Sequence, residues 1–136
     1  MNNRFEILEH TADFKIRVKG KTLAELFNNA AFALAVNQKG DENFNGEKVR
    51  KEIKLEASDA NTLLVDFLNE ILYLSDTEER IFPEIEFKKI TEKGLEAVAS
   101  GYKYDNLKIE IKAATYHGLE IKKENSEFIA EIIFDI

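Results

Sequence analysis

His10 and His117 are the only imidazoles in this 136-residue chain, and it has no cysteine. A histidine pair with one carboxylate could hold Zn²⁺. Spacing alone gives these two no common geometry, and two turn histidines unrelated in space are the simpler reading. No Gly-rich phosphate cradle, nucleophile-elbow serine, Cys–His pair or helical His-Glu-x-x-His occurs, so most enzyme templates fail. Three places stand apart from the background. His10-Thr11-Ala12-Asp13 is a polar knot between two apolar-patterned strands, where a bulge would re-aim a side chain. Ile109-Glu110-Ile111-Lys112-Ala113-Ala114-Thr115-Tyr116-His117 passes from strict alternation into small residues. Ile132-Ile133-Phe134-Asp135-Ile136 sets a carboxylate at the end of the most apolar strand. Each has a bland explanation: an Asx-type turn, a strand packed closely on a helix, and a solubilised β terminus.

The elements that must position these residues are legible from periodicity. Phe5–Glu9 is strand-like, and Phe14, Ile16 and Val18 alternate with Lys15, Arg17 and Lys19 up to Gly20. Thr22-Leu23-Ala24-Glu25 reads as a capping box. Leu23, Leu26, Phe27, Ala30, Ala31, Leu34 and Ala35 follow at helical spacing, as far as Gly40. After the polar stretch 41–46, Val49, Lys51, Ile53, Leu55 and Ala57 share a strand face. Ser58-Asp59-Ala60-Asn61 offers N-caps for a second helix with the stripe Leu64, Phe67, Leu68, Ile71, Leu72 and Ser75, closed by 76–79. From Ile81 onward the chain reads as a meander of hairpins with strands at 81–89, 95–102, 107–115, 119–123 and 127–136. In the last of these, Phe128, Ala130, Ile132, Phe134 and Ile136 line one face, opposite Glu127, Glu131 and Asp135. The expected fold is α+β: a largely antiparallel sheet with two amphipathic helices packed on it, as one domain over 1–136.

Composition bounds the function. The length suits one core and is too short for two. A hydrophobic content of 44% with ten Phe excludes a disordered chain. The net charge of −7 argues against an independent nucleic-acid binder and in favour of a basic protein partner. No signal peptide and no membrane-spanning run is present, so a cytoplasmic location is expected.

Four motifs in order resemble the archease family, the small proteins that assist the RNA-splicing ligase. They are His10-Thr11-Ala12-Asp13 followed by a strand and Gly20-Lys21-Thr22-Leu23; Leu63 to Glu70 with Leu72-Tyr73; Ile111-Lys112-Ala113-Ala114-Thr115-Tyr116-His117; and Phe134-Asp135-Ile136. The resemblance covers nearly the whole chain and implies an archease-like fold and a carboxylate metal site. The family's metal ligands fall on Asp13, Asp135 and Ile136, the last through main-chain oxygen, with Lys112 and His10 as functional or partner-site residues. Oxygen-only ligation suits Ca²⁺ or Mg²⁺, and a terminal Ile136 would add a free carboxylate. Relatives often carry Thr-Asp after the first helix, where this chain has Lys39-Gly40 and then Asp41, so Asp41 receives no site role. Glu131, without a family match, is expected to lie outside the metal site, so that Glu131→Ala keeps the wild type's cation-dependent stabilisation and ligase stimulation.

The resemblance further implies a non-enzymatic role. The protein would help the ligase form its guanylate from GTP and turn over, in tRNA splicing and RNA repair. The alternative is a chaperone-like acidic interaction module for basic RNA-processing proteins. A metal-dependent phosphohydrolase would need a nucleophile or base that the sequence lacks.

Overall fold

Alternation and helical spacing produce ten elements in the structure, a computed structural model that describes residues 4–8 and 14–136. They are β1 (Phe5–Leu8), β2 (Phe14–Gly20), α1 (Leu23–Lys39), β3 (Lys48–Glu56), α2 (Ala60–Glu78), β4 (Ile81–Thr91), β5 (Gly94–Tyr102), β6 (Ala113–Ala114), β7 (Lys122–Glu124) and β8 (Glu127–Asp135). All strand pairs are antiparallel.

Both helices begin where their caps dictate. Thr22 Oγ1 accepts from the Glu25 amide at 3.1 Å, and the Glu25 carboxylate reaches back to the Lys21 amide at 3.2 Å. Of the N-caps available to α2, Asp59 is the one used, accepting from the Thr62 amide at 2.8 Å. Gly40 ends α1 in the left-handed region at φ 97°, and a Cβ there would also stand 2.9 Å from the Lys108 side chain. Glycine therefore lets the segment after β5 close onto the end of α1.

The strands divide between two sheets, a division that the alternation does not show. One sheet has the order β1-β2-β8-β6, with β7 also pairing β8; the other is β3-β5-β4. Both helices pack against strands of both sheets. That position buries α2 well beyond its expected stripe, adding Leu63, Val65 and Leu74 to Leu64, Phe67, Leu68, Ile71, Leu72 and Ser75. Phe27 of α1, Phe67 of α2 and Phe87 of β4 meet at ring separations of 5.4, 5.8 and 6.4 Å, joining three elements in one apolar centre. Pro83 lies in the edge strand β4 where the register shifts between Ile81 and Glu84, so no central ladder bond is lost.

The C-terminal third departs from a simple meander. The expected strand over 107–115 shrinks to Ala113–Ala114, because the amides of Lys108 and Ile109 donate to the Gln38 carbonyl instead of to a neighbouring strand. The expected strand over 119–123 becomes Lys122–Glu124, since the Ile121 amide donates to Asn61 Oδ1 on α2 at 2.9 Å. The apolar alternation in these stretches reflects packing against the core rather than a ladder: Ile109, Leu119 and Ile121 rest on it and Ile111 is within it. Finally, β8 does not hairpin outward as a last edge. It lies between β2 on one side and β6 and β7 on the other.

Candidate functional site

β8 carries its apolar face into the core through Ala130, Ile132 and Phe134, all buried. The expected continuation to Ile136 fails: the strand ends at Asp135, and Ile136 is 51% exposed. Asp135 is exposed as well. A carboxylate and the main-chain oxygens of the next residue thus reach solvent together at the end of a buried strand.

Two neighbours frame that end. On one edge Phe14 pairs with Phe134, so β2 begins beside the residue that precedes Asp135. On the other edge Ala113 pairs with Asp135, and the Lys112 amide donates to the Asp135 carbonyl at 2.8 Å. Lys112 itself is exposed and just precedes β6, so the expectation of an accessible side chain holds while its place within a strand does not. Asp135, Ile136 and Lys112 therefore meet at one end of the five-stranded sheet. Asp13 and His10 lie outside the described residues, so neither the first carboxylate nor the histidine pairing with His117 is seen. His117 is exposed, just before Gly118 in the turn that follows β6. Among the described residues, no three His, Asp or Glu side chains gather as a metal cluster.

The short β6 stays in place because α2 holds it. Asn69 Nδ2 donates to the Ala114 carbonyl at 3.1 Å and Asn69 Oδ1 accepts from the Ala114 amide at 2.7 Å. An amide side chain here replaces a missing neighbouring strand, satisfying both backbone groups of one residue. Thr115 sends both its amide and its hydroxyl to the Ile133 carbonyl at 3.0 Å. The Tyr116 hydroxyl donates to Asp66 of α2, and that acceptor, with some burial, raises the phenol above its ordinary pKa. Sequence reasoning did not assign Asn69 and Asp66 these positioning roles. The signal was available: Asp66, Asn69, Tyr73 and Asp76 recur at i, i+3, i+7 and i+10, a polar flank on one face of α2.

Two other carboxylates prove to be engaged elsewhere. Glu131 accepts from Arg17 at 2.8 and 3.0 Å and pairs with Lys15 at 3.2 Å, so it is a hub between β2 and β8. Those partners, Arg17 foremost, hold its carboxyl below the usual glutamate range. Asp41 binds Lys39 Nζ at 2.6 Å and accepts from the Asn43 amide at 2.9 Å, which makes it part of the turn after α1.

Among the described residues the exposed large apolar side chains are Ile7, Tyr73, Tyr116 and Ile136. Tyr73 stands on α2, Tyr116 follows β6 and Ile136 follows β8, so three of these four belong to the part of the fold that ends β8 or braces β6.

Residues 5–136 match the model of the Archease protein family (MTH1598/TM1083). The protein archease of Methanosarcina mazei is 38% identical over 141 residues, which cover 98% of this chain and 96% of that protein. The protein archease of Pyrococcus abyssi is 39% identical over 145 residues, covering 98% and 99% respectively. The solution structure of Methanobacterium thermoautotrophicum protein 1598 is similar with a TM-score of 0.74 and 30% identity, over 99% of this chain and 100% of that one. A crystal structure from Thermotoga maritima, described as an archease and possible chaperone, has a TM-score of 0.68 at 22% identity over 95% of this chain and 94% of that one, and bears on fold alone.

Proposed function

The chain belongs to the archease family, and from that premise we propose that it is a protein cofactor, not itself an enzyme, that activates the GTP-dependent RNA-splicing ligase in tRNA splicing and RNA repair. The ligase's own histidine takes GMP from GTP, with pyrophosphate leaving; this chain promotes that step and keeps the ligase turning over. The observation that carries the reading is the meeting of Asp135, Ile136 and Lys112 at one exposed end of β8, fringed by Tyr116 and Ile136 as exposed apolar contacts. A carboxylate and main-chain oxygens form an all-oxygen donor set, which fits Ca²⁺ or Mg²⁺, with Asp13 as the further ligand. Such an ion would supply fixed positive charge to a polyphosphate at the ligase's nucleotide site. Lys112 stands ready for a phosphate or carboxylate of the complex.

The net charge of −7 supports docking to a basic protein surface and disfavours direct RNA binding. No helix among the described residues is long and apolar enough to cross a membrane, in keeping with the proposed cytoplasmic setting. The same acidic charge supports a second reading, a chaperone-like module that binds several basic RNA-processing proteins.

The test is ligase guanylylation from labelled GTP with and without this chain. Wild type should stimulate it, Asp135→Ala should not, and the chain alone should turn over no GTP. A ligase that gains nothing from the wild-type chain would end the cofactor reading. Pull-downs that capture a broad set of basic proteins without a dominant ligase would support the chaperone instead.

A further inference from the structure

A cleft of about 460 Å³ opens between the C-terminal half of α2 and the segment 104–112, with Gln38 of α1 in its lining. Gln38 is only 3% exposed. Its Nε2 donates to Ser75 Oγ at 3.2 Å, and its main-chain carbonyl accepts from the Lys108 amide at 2.7 Å. The Ser75 hydroxyl in turn donates to the Arg80 carbonyl. Because that proton is committed, Ser75 Oγ can only accept from Gln38, which fixes the orientation of the amide. Gln38 Oε1 is consequently a buried acceptor with no hydrogen-bond partner. Leaving such a group unpaired is costly, and a donor entering the cleft beside Gln38 would relieve that cost.

The rest of the lining says which donor. It includes two exposed carboxylates, Asp76 and Glu110, and two phenol rings, Tyr73 and Tyr104. Lys112 is the one cation there, so the carboxylates outnumber it, and the whole chain carries −7. Acceptors set beside aromatic rings suit a flat cation with several N–H groups, which can stack and donate at once. An ammonium, a compact point charge, cannot do both in the same plane. We propose that this cleft receives the guanidinium of an arginine on the partner protein. The chemistry stands on the cleft alone; only the identity of the partner rests on the ligase reading. Lys112 also ties the cleft to Asp135, so an arginine seated here would register the partner against the end of β8.

The proposal is tested by titrating the ¹⁵N-labelled full chain with N-acetyl-arginine methylamide, using the lysine analogue as control. Saturable shifts of the Gln38 side-chain amide and the Lys108 backbone are expected for arginine only. Gln38→Met, Glu110→Gln and Asp76→Asn should each weaken binding by about fivefold, the weight of one hydrogen bond. The two carboxylate variants are at the surface and keep the test valid should Gln38→Met misfold. No cleft shifts at about 50 mM, well above the millimolar affinity one side chain can reach, would overturn the proposal. So would equal shifts with lysine, or shifts that leave Gln38 unmoved, which would mean that only water satisfies it. With ligase, Glu110→Gln should raise the concentration needed for half-maximal stimulation at an unchanged maximum. An unchanged half-maximal concentration overturns the ligase as the source of the arginine. A ligase that gains nothing from the wild-type chain would instead overturn the ligase reading and leave the cleft's chemistry intact.

Discussion

The Lys112 amide is bonded to the Asp135 carbonyl at 2.8 Å, so two residues more than twenty positions apart are registered through main chain alone. Substituting the Lys112 side chain leaves that bond in place. Lys112→Ala should therefore change unfolding free energy by no more than about 0.5 kcal/mol, as exposed substitutions do, while impairing ligase stimulation. Chemical denaturation beside the guanylylation assay separates the two. A large stability loss with normal stimulation would make Lys112 a structural residue.

The proposed metal site predicts linkage between cation and stability. In that site Asp135 and Asp13 would come from opposite ends of the sequence, so the unfolded chain could not assemble them, and Ca²⁺ or Mg²⁺ should bind the folded state alone. The melting temperature should rise with cation concentration by mass action. Asp13→Ala and Asp135→Ala should each abolish the rise. If both variants melt with the same cation dependence as wild type, the carboxylates only solubilise a strand end.

Asn69 braces β6 by bonding both the amide and the carbonyl of Ala114. Asn69→Ala leaves both groups without that partner and should cost about 1–3 kcal/mol. It should also weaken stimulation through Lys112 and Asp135, which a merely structural loss elsewhere would not do. Faster exchange of the Ala114 and Lys112 amides in the variant, with the core amides unchanged, is the expected signature. Uniformly faster exchange would mean that Asn69 stabilises the fold without positioning the site.

Acid should unfold the protein partly through Glu131. Arg17 and Lys15 hold its carboxyl below the usual glutamate range in the folded state. The unfolded chain thus takes up the proton first, and stability from this group is complete above the unfolded pKa of about 4.3. It declines as pH falls from there toward the lower folded value. Glu131→Gln should flatten the stability profile in that window. With 39% of its side chain exposed, the loss above the window should stay at about 1 kcal/mol or less. A profile identical to wild type would mean that the ion pairs contribute nothing.

Leu68 is fully buried in the cluster formed by α2, α1 and both sheets. Leu68→Ala should cost about 2–5 kcal/mol, the usual range for emptying a packed leucine site. A smaller loss by calorimetry would show that the surrounding helices collapse into the space.

Local rules carried well where local rules decide. Thr22 and Asp59 announce their helices because capping depends on a few neighbouring residues, and both caps form. Leu64, Phe67, Leu68 and Ile71 report a helix face because 3.6-residue spacing is a property of the chain itself. The division into two sheets was illegible, since alternation marks a strand's faces without naming its neighbours. Ile109 and Ile111 alternate like a strand and yet lie in none, because the amides of Lys108 and Ile109 find the Gln38 carbonyl instead of a ladder while both isoleucines pack on the core. Of the site, Asp135 and Lys112 were visible through their motifs. Asn69 and Gln38 were not, for their roles consist of bonds to residues far along the chain.

Among the described residues, the last strand in chain order is the one on which the five-stranded sheet is hung. Because β8 lies between β2 and the pair β6 and β7, the β2 edge at Ile16 and Val18 must wait, unpaired, until Ala130 and Ile132 emerge to meet it. Pairing across such sequence separation slows folding, since the loop must close before any contact rewards it. A nascent chain therefore spends most of its synthesis without its five-stranded sheet, open to chaperones and proteases. A product released before Glu127 would lack both the central strand and Asp135. Such fragments would keep the β3-β5-β4 sheet and both helices but leave β2 without its β8 partner. The topology thus ties the Asp135 carboxylate to the central strand of its sheet, so that neither is present without the other.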